Sequence, residues 1–341
     1  MNGNASYRLT NVAVLSVGAV EAPIVVPSSA FDERLMETYQ RVGMRPGMLE
    51  ELAGVRERRW WPEDVSFADA AAMAGAKALA EAGITPAQIG VMINTSVSRA
   101  YLEPSTAVAV HHQLGLPTSC LNFDLANACL GFVNAIQLVG TMIDAGQVDY
   151  ALLVDAEGSR FTQETTLDRL AAPEATAADI RSQFATLTLG SGAAAMVLGR
   201  ADQHPEGHRV LGGVSRAGTE HHDLCVGDLT SMRTDSKRLF QAGLALALDT
   251  WRDAGEAGFD WSDIDYFIAH QTSVVHLRAM AAALGVPVDR FPMTLPTFGN
   301  IGPAAVPFTL AQQIDVLNAG MRLLLLGIGS GLNTSYAEII W

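Results

Sequence analysis

Four kinds of group in this sequence could do chemistry together: a thiol, an imidazole, a carboxamide and a glycine-rich turn. Cys129 lies in NFDLANACLGF (residues 122–132), among small residues, where a strand gives way to a helix. The helix is marked by Leu130, Phe132, Val133, Ile136, Val139 and Ile143, which recur at helical spacing. A thiol at a helix start meets unpaired backbone N–H groups and the positive end of the helix dipole. Both favour thiolate, the nucleophilic form. A cysteine alone is as readily a small buried apolar residue, and Cys120 and Cys225 are read that way. His270, in IAHQTS, follows an apolar strand, so its ring is expected to face a crevice. Asn300, in FGNIGP, stands between glycines in a tight loop with an amide to offer. GIGSG (327–331) supplies a turn whose main-chain amides can come close to a ligand.

These residues fall on elements that occur twice. FADAAAMAGAKALAEAGITPAQIGVMINTSV (67–97) and LFQAGLALALDTWRDAGEAGFDWSDIDYFIAHQTSV (239–274) each give an amphipathic helix, a Gly break, a polar turn, a strand and Thr-Ser-Val. IGVMI (89–93) answers IDYFI (264–268). The first copy continues to the Cys129 junction, the second to TFGNIGPAAVPFTLAQQI (297–314). GSGAAAMVLGR (190–200) and GIGSGLNTSYAEIIW (327–341) close the two copies. A run of matches in one order predicts a duplicated α/β unit. The expected halves are 1–200 and 201–341, linked by ADQHPEGHR (201–209). Packed about a pseudo-twofold axis, they would bring Asn94, Glu103 and Cys129 from one half to His270 and Asn300 from the other. Residues 158–186 have no counterpart and are expected to form a helical insertion over the site or an interface.

Composition narrows the function classes. With 341 residues, 49% of them hydrophobic and only 17% charged, the chain can bury the core of a large α/β protein. A formal charge of −14 argues against a nucleic-acid surface. No signal peptide is expected, and MRLLLLGI (321–328) is far too short to span a bilayer. Three widely spaced cysteines suit neither a disulfide framework nor a zinc site, and the pairs His111-His112 and His221-His222 point different ways. A cytoplasmic protein without a metal is the expectation.

NACLGF, HQTS and GNIGPAAVP resemble the Cys, His and Asn motifs of the thiolase superfamily, in its ketoacyl-synthase-III-like branch. GVRERRW (54–60) is similar to a family segment near the mouth of the coenzyme A channel. The resemblance preserves motif order from about residue 10 onward. It implies a thiolase fold layered α-β-α-β-α, a homodimer, and acyl transfer to Cys129 with coenzyme A thioesters as substrates and no cofactor. The turn GIGSG lacks the second cysteine that thiolases use as a base. YLEPST (101–106), with NACL, GNIGPA and the ending GLNTSYAEIIW, resembles OleA-type enzymes of head-to-head hydrocarbon biosynthesis. That likeness implies that Glu103, otherwise readable as a solvated loop carboxylate, deprotonates a second fatty acyl-CoA across the dimer. It further implies an oxyanion site at the amides of Cys129 and Ser330, with His270 and Asn300 donating to the enolate oxygen. The product would be a 2-alkyl-3-ketoacyl thioester, leaving as a β-keto acid for an olefin or β-lactone pathway. A reductase, a β-lactone synthetase and a decarboxylase would be the downstream partners. A decarboxylating condensation with a malonyl thioester and a subunit of a heterodimeric enzyme remain as alternatives.

Overall fold

The computed structural model describes residues 5–341. Its strands are β1 (Ser6–Arg8), β2 (Val12–Glu21), β3 (Ile24–Pro27), β4 (Glu57–Trp60), β5 (Val91–Asn94), β6 (Leu121–Asp124), β7 (Tyr150–Glu157), β8 (Gly192–Arg200), β9 (His208–Ala217), β10 (Cys225–Gly227), β11 (Met232–Thr234), β12 (Tyr266–Ala269), β13 (Arg322–Gly329) and β14 (Asn333–Ile340). The α-helices are α1 (Ser28–Val42), α2 (Phe67–Ala82), α3 (Thr106–Gln113), α4 (Gly131–Asp144), α5 (Arg160–Ala171), α6 (Ala177–Leu187), α7 (Ser236–Glu256), α8 (Val274–Leu284), α9 (Leu295–Phe298) and α10 (Ala305–Ala311).

The main sheet runs β12-β13-β14-β9-β2-β8-β7-β5-β6, with β1 also paired to β9. Its order repeats: β5-β7-β8-β2 on one side, β12-β13-β14-β9 on the other. In each quartet the first pair is parallel and the next two are antiparallel. The quartets meet at a short contact, Ala13↔Arg209 and Val14↔His208. The echoed segments of the sequence thus supply β5 and β12, then β8 and β14. Strand β6 extends the first quartet and has no equivalent in the second.

Helices α4 and α10 lie between the quartets. Phe132, Val133, Ile136 and Val139 of α4 and Val306 of α10 share one core with Ile93 of β5 and Leu325 of β13. Helices α2 and α3 cover the outer face of the first quartet, α7 and α8 that of the second. The layers are therefore α-β-α-β-α.

Local sequence accounts for the outer helix. The Ser66 side chain caps α2 by accepting from the Asp69 amide, Asp69 accepts in return, and Gly83 closes the helix at φ +66°. The inward positions Ala70, Ala71, Ala74 and Ala78 are small because α2 lies close on β2, where Ser16 Oγ donates to the Ala78 carbonyl at 2.7 Å. Every large side chain at the inward positions of α4 is instead fully buried, each contributing about 1.5–3 kcal/mol of hydrophobic stabilisation.

Candidate active site

Six residues turn the chain from β6 into α4, and Cys129 lies in that turn, two places before the first helical residue. The turn is tightly built. Ala128 adopts a left-handed φ of +45°, and Asn127 Nδ2 donates to Asn134 Oδ1 at 2.7 Å. Position 131 must be glycine, because a Cβ there would lie 2.9 Å from the Thr95 carbonyl oxygen and 3.0 Å from that of Leu125. The end of β13 packs against the same place. A Cβ on Gly327 would lie 2.4 Å from Leu130 Cδ1, and one on Gly329 would lie 2.9 Å from the Asn127 carbonyl oxygen. These glycines make room for the turn that carries Cys129, while Gly329 and Ser330 also line the cavity.

Cys129, His270, Asn300 and Ser330 line one cavity of about 1630 Å³. Asn300 is held at its main chain, with its N–H donating to Thr188 O at 2.8 Å and its carbonyl accepting from Gly190 N at 2.9 Å. Its side-chain Oδ1 accepts from Gly302 N at 3.0 Å, which orients the amide and leaves Nδ2 as the free donor. The His270 main chain donates to Leu326 O at 2.8 Å, while its ring is buried and Nδ1 has no partner among the described residues. Burial lowers the imidazole to about 4, helped by the neighbouring His276 and opposed by the Gly302 main chain. His270 is therefore neutral at pH 7. His276 lines the same cavity, bonded through Nδ1 to Thr272 Oγ1 at 3.0 Å and edge-on to Phe240, and burial lowers it to about 4 as well. Gln271 ties the His270 strand to the Asn300 segment: its Oε1 accepts from Thr294 N and Leu295 N, both at 3.0 Å.

The Cys129 thiol contradicts the thiolate expectation. The residue keeps accessible surface towards the cavity, but its sulfur is poorly solvated. Burial pushes the thiol up, with Glu157, Cys225 and Asp155 adding to the effect. A helix dipole contributes at most about 2 kcal/mol, whereas desolvation shifts a buried group by up to about 3–5 pKa units. The net direction for Cys129 is upward, opposite to the shift a helix start alone would give.

Other residues fall elsewhere. Glu103 is exposed and lies outside the cavity lining of its own chain. Asn94 is not in the crevice: fully buried, its Nδ2 donates to Ser96 Oγ at 2.9 Å and Asp124 Oδ1 at 3.1 Å. In GVRERRW, Arg58 is wholly buried over the Phe31 ring and donates to Ser28 Oγ and Leu187 O, both at 3.0 Å. Arg56 alone of its three arginines faces an opening, a separate recess of about 420 Å³. Cys225 is not a core residue but lines the main cavity from β10. Helix α6, within the segment that has no counterpart, walls the cavity with Ala178, Ser182 and Phe184. Among the described residues no group of three or more His, Cys, Asp or Glu could hold a metal ion.

Two acids that the motifs do not mark complete the surroundings. Asp155 and Glu157 occur in VDAEG, where alternation in an apolar strand is the signal: both point to one face of β7. Asp155 Oδ2 accepts from Thr95 Oγ1 at 2.5 Å, and its Oδ1 has no donor. The two carboxyls are close enough to act on one another. Burial raises Asp155 well above the carboxylate range and Glu157 to about 7.

Comparison with known proteins places this arrangement. Residues 123–217 match the 3-oxoacyl-(acyl-carrier-protein) synthase III family and residues 254–341 its C-terminal family. An acyl-CoA:acyl-CoA alkyltransferase of Xanthomonas campestris is 42% identical over 334 residues, covering 97% of this chain and 99% of that protein. The cerulenin-bound crystal structure of OleA from that organism superposes with a TM-score of 0.96 at 42% identity, over 98% of each chain. The chain belongs to the OleA family of acyl-CoA:acyl-CoA alkyltransferases. A second OleA-family relative, from Shewanella oneidensis, is 33% identical over 98% of this chain and 100% of its own length. A cysteine-to-serine variant of the Xanthomonas OleA, solved with lauric acid and lauroyl-CoA bound, superposes with a TM-score of 0.95 at 42% identity, over 98% of this chain and 100% of that one. Other structures of that OleA carry replacements of a histidine or of a glutamate.

Proposed function

We propose that this enzyme joins two long-chain fatty acyl-CoA molecules by a non-decarboxylative Claisen condensation through a Cys129 acyl-enzyme. The observation that carries the reading is the convergence of Cys129, His270 and Asn300 on one large cavity in a chain of the OleA family. At about 1630 Å³ the cavity exceeds the 300–1,000 Å³ or so of a pocket for one small ligand, which suits two acyl chains. Each buried CH₂ adds about 0.8 kcal/mol of binding.

In the first half-reaction the Cys129 sulfur attacks the thioester carbon, and the amides of Cys129 and Ser330 hold the oxyanion. The C–S bond to coenzyme A breaks, and the thiol proton passes to the departing coenzyme A sulfur, so His270 keeps its own N–H. In the second, His270 and Asn300 Nδ2 donate to the carbonyl oxygen of a second acyl-CoA as a base removes its α-proton. The carbanion attacks the acyl-enzyme, a C–C bond forms and Cys129 is released. Water then cleaves the remaining thioester to give the β-keto acid and a second coenzyme A.

The base is Glu103 of a second copy of the chain. Glu157, a carboxylate of the same cavity lining as Cys129, has both oxygens occupied by donors of Val97 and Ser98, in the loop after β5. In the Xanthomonas OleA variants the altered glutamate and cysteine are as far apart in sequence as Glu103 and Cys129, and the cysteine-to-histidine separation agrees within one residue. The Glu103 loop carries exposed Tyr101 and Leu102, 71% and 96% accessible, and runs past the Asp124 end of β6, whose outer edge is open and carries exposed Leu121. An apolar loop next to a bare sheet edge fits cover by a second copy. The enzyme is thus a homodimer, with 1–200 and 201–341 as its two thiolase-like units. Free thiols and the lack, among the described residues, of a helix able to cross a membrane suit the cytoplasm. The β-keto acid would pass to a reductase and then to a β-lactone synthetase or decarboxylase. Incubation with one acyl-CoA and no malonyl donor tests the reading, and condensation that required a malonyl thioester would replace it.

A further inference from the structure

Both ends of the loop that carries Glu103 are tied to buried or half-buried carboxyl groups. At its start Glu157 Oε1 accepts from Val97 N at 2.6 Å, and Oε2 accepts from Ser98 N at 3.1 Å and Ser98 Oγ at 2.6 Å. Ser98 Oγ in turn accepts from Gly158 N at 3.1 Å. Asp155, behind Glu157 on β7, takes the Thr95 hydroxyl. At the far end Asp124 accepts from the first amides of α3, Thr106 N at 3.0 Å and Ala107 N at 2.9 Å. Between these ties residues 99–104 make no hydrogen bond within the described chain. Five residues from Ser98 to Glu103 reach at most about 18 Å, so small changes in direction at Ser98 move the carboxylate by ångströms.

We infer that Glu157, backed by Asp155, is a positioning residue for the neighbouring subunit's condensation step: it anchors residues 95–98 so that the loop delivers Glu103 across the dimer. The inference rests on the cross-subunit role proposed for Glu103 and adds a specific consequence. Glu157 lines the cavity of its own chain, yet its effect belongs to the other site. Replacing it by Gln leaves one acceptor oxygen and puts an NH₂ against loop donors, so at least one buried amide loses its partner.

Mixed dimers separate the two sites. Pairing Cys129→Ala chains with Glu103→Gln chains leaves one working site, built from Cys129 of the second chain and Glu103 of the first. Adding Glu157→Gln to the Cys129→Ala chain should lower condensation at that site at least about tenfold, since an ångström of misplacement costs up to about a hundredfold. Adding it to the Glu103→Gln chain removes a charge that acts on that chain's own Cys129 and changes its acylation, but should leave the condensation rate of the preloaded acyl-enzyme in the reference pair unchanged. The Glu157→Gln homodimer should still take up one acyl group on Cys129 by intact mass, whatever the rate, and that uptake reports folding. If Glu157→Gln does not fold, Ser98→Ala removes one of the three donors and should follow the same chain dependence more weakly. Equal losses in both pairings, or a loss only on the chain bearing Cys129, would overturn the inference. A reference pair that recovers no activity despite subunit exchange would remove the Glu103 role itself, and this inference with it.

Discussion

Cys129 is subject to two opposed influences, and their sizes decide its resting state. The turn before α4 offers a favourable dipole, but burial, with Glu157 and Asp155 among the neighbouring groups, pushes the thiol up. Alkylation by iodoacetamide should therefore be slow at pH 7 and still rising above pH 9; a rate already level by pH 7 would show a resting thiolate. Cys129→Ala should abolish both acyl-enzyme formation and coenzyme A release, with the acyl group of the parent mapped by mass spectrometry to the Cys129 peptide. An acyl group on Cys225, which shares the cavity, would reassign the nucleophile. Asn300 presents its Nδ2 because Gly302 occupies its Oδ1. Asn300→Ala should still acylate Cys129 but condense about 10²–10³ times more slowly, the usual cost of one oxyanion donor. Blocked acylation with normal condensation of preloaded enzyme would contradict that division of labour.

The elements hold these groups through contacts that admit no extra atom. Gly190 lies two residues before β8, beside the Asn300 loop, and a Cβ there would sit 1.7 Å from the Phe298 carbonyl oxygen. Gly190→Ala should push that loop away, lowering the melting temperature, with overpacking costs of about 1–3 kcal/mol, and slowing condensation more than acylation. Unchanged stability and turnover would show that the loop gives freely. Much of this framework was legible in the sequence. The helical period after Cys129 marks α4, and the repeated helix-strand order marks the two quartets, because burial on one face writes itself as periodicity. The tertiary terms were not legible. Asn94 reads like a strand-end polar group facing a crevice, but β6 brings Asp124 beside it and buries it. GIGSG reads as a turn that approaches a ligand, and nothing local shows that two of its glycines also answer to the Asn127–Leu130 turn, a contact between distant segments. The upward push on the Cys129 thiol likewise draws on acids in β7 that are remote in sequence.

At the scale of the whole molecule, one chain brings Cys129, His270 and Asn300 to one cavity while its own Glu103 lies outside that cavity's lining. The exposed Tyr101–Leu102 loop and the open β6 edge point to a second copy. Leu102→Asp would put a charge into that interface and should shift sedimentation towards the monomer, sparing acylation while stopping condensation. A stable dimer with normal condensation would locate the interface elsewhere. The central claim, condensation of two acyl-CoA molecules without decarboxylation, is tested most directly by incubating the purified enzyme with tetradecanoyl-CoA alone and analysing the products by mass spectrometry. The account predicts a 2-alkyl-3-keto acid carrying all twenty-eight carbons of two substrates, with two coenzyme A molecules released for each. An enzyme that stops at acylated Cys129, and forms a carbon–carbon bond only when a malonyl thioester is added, would contradict it.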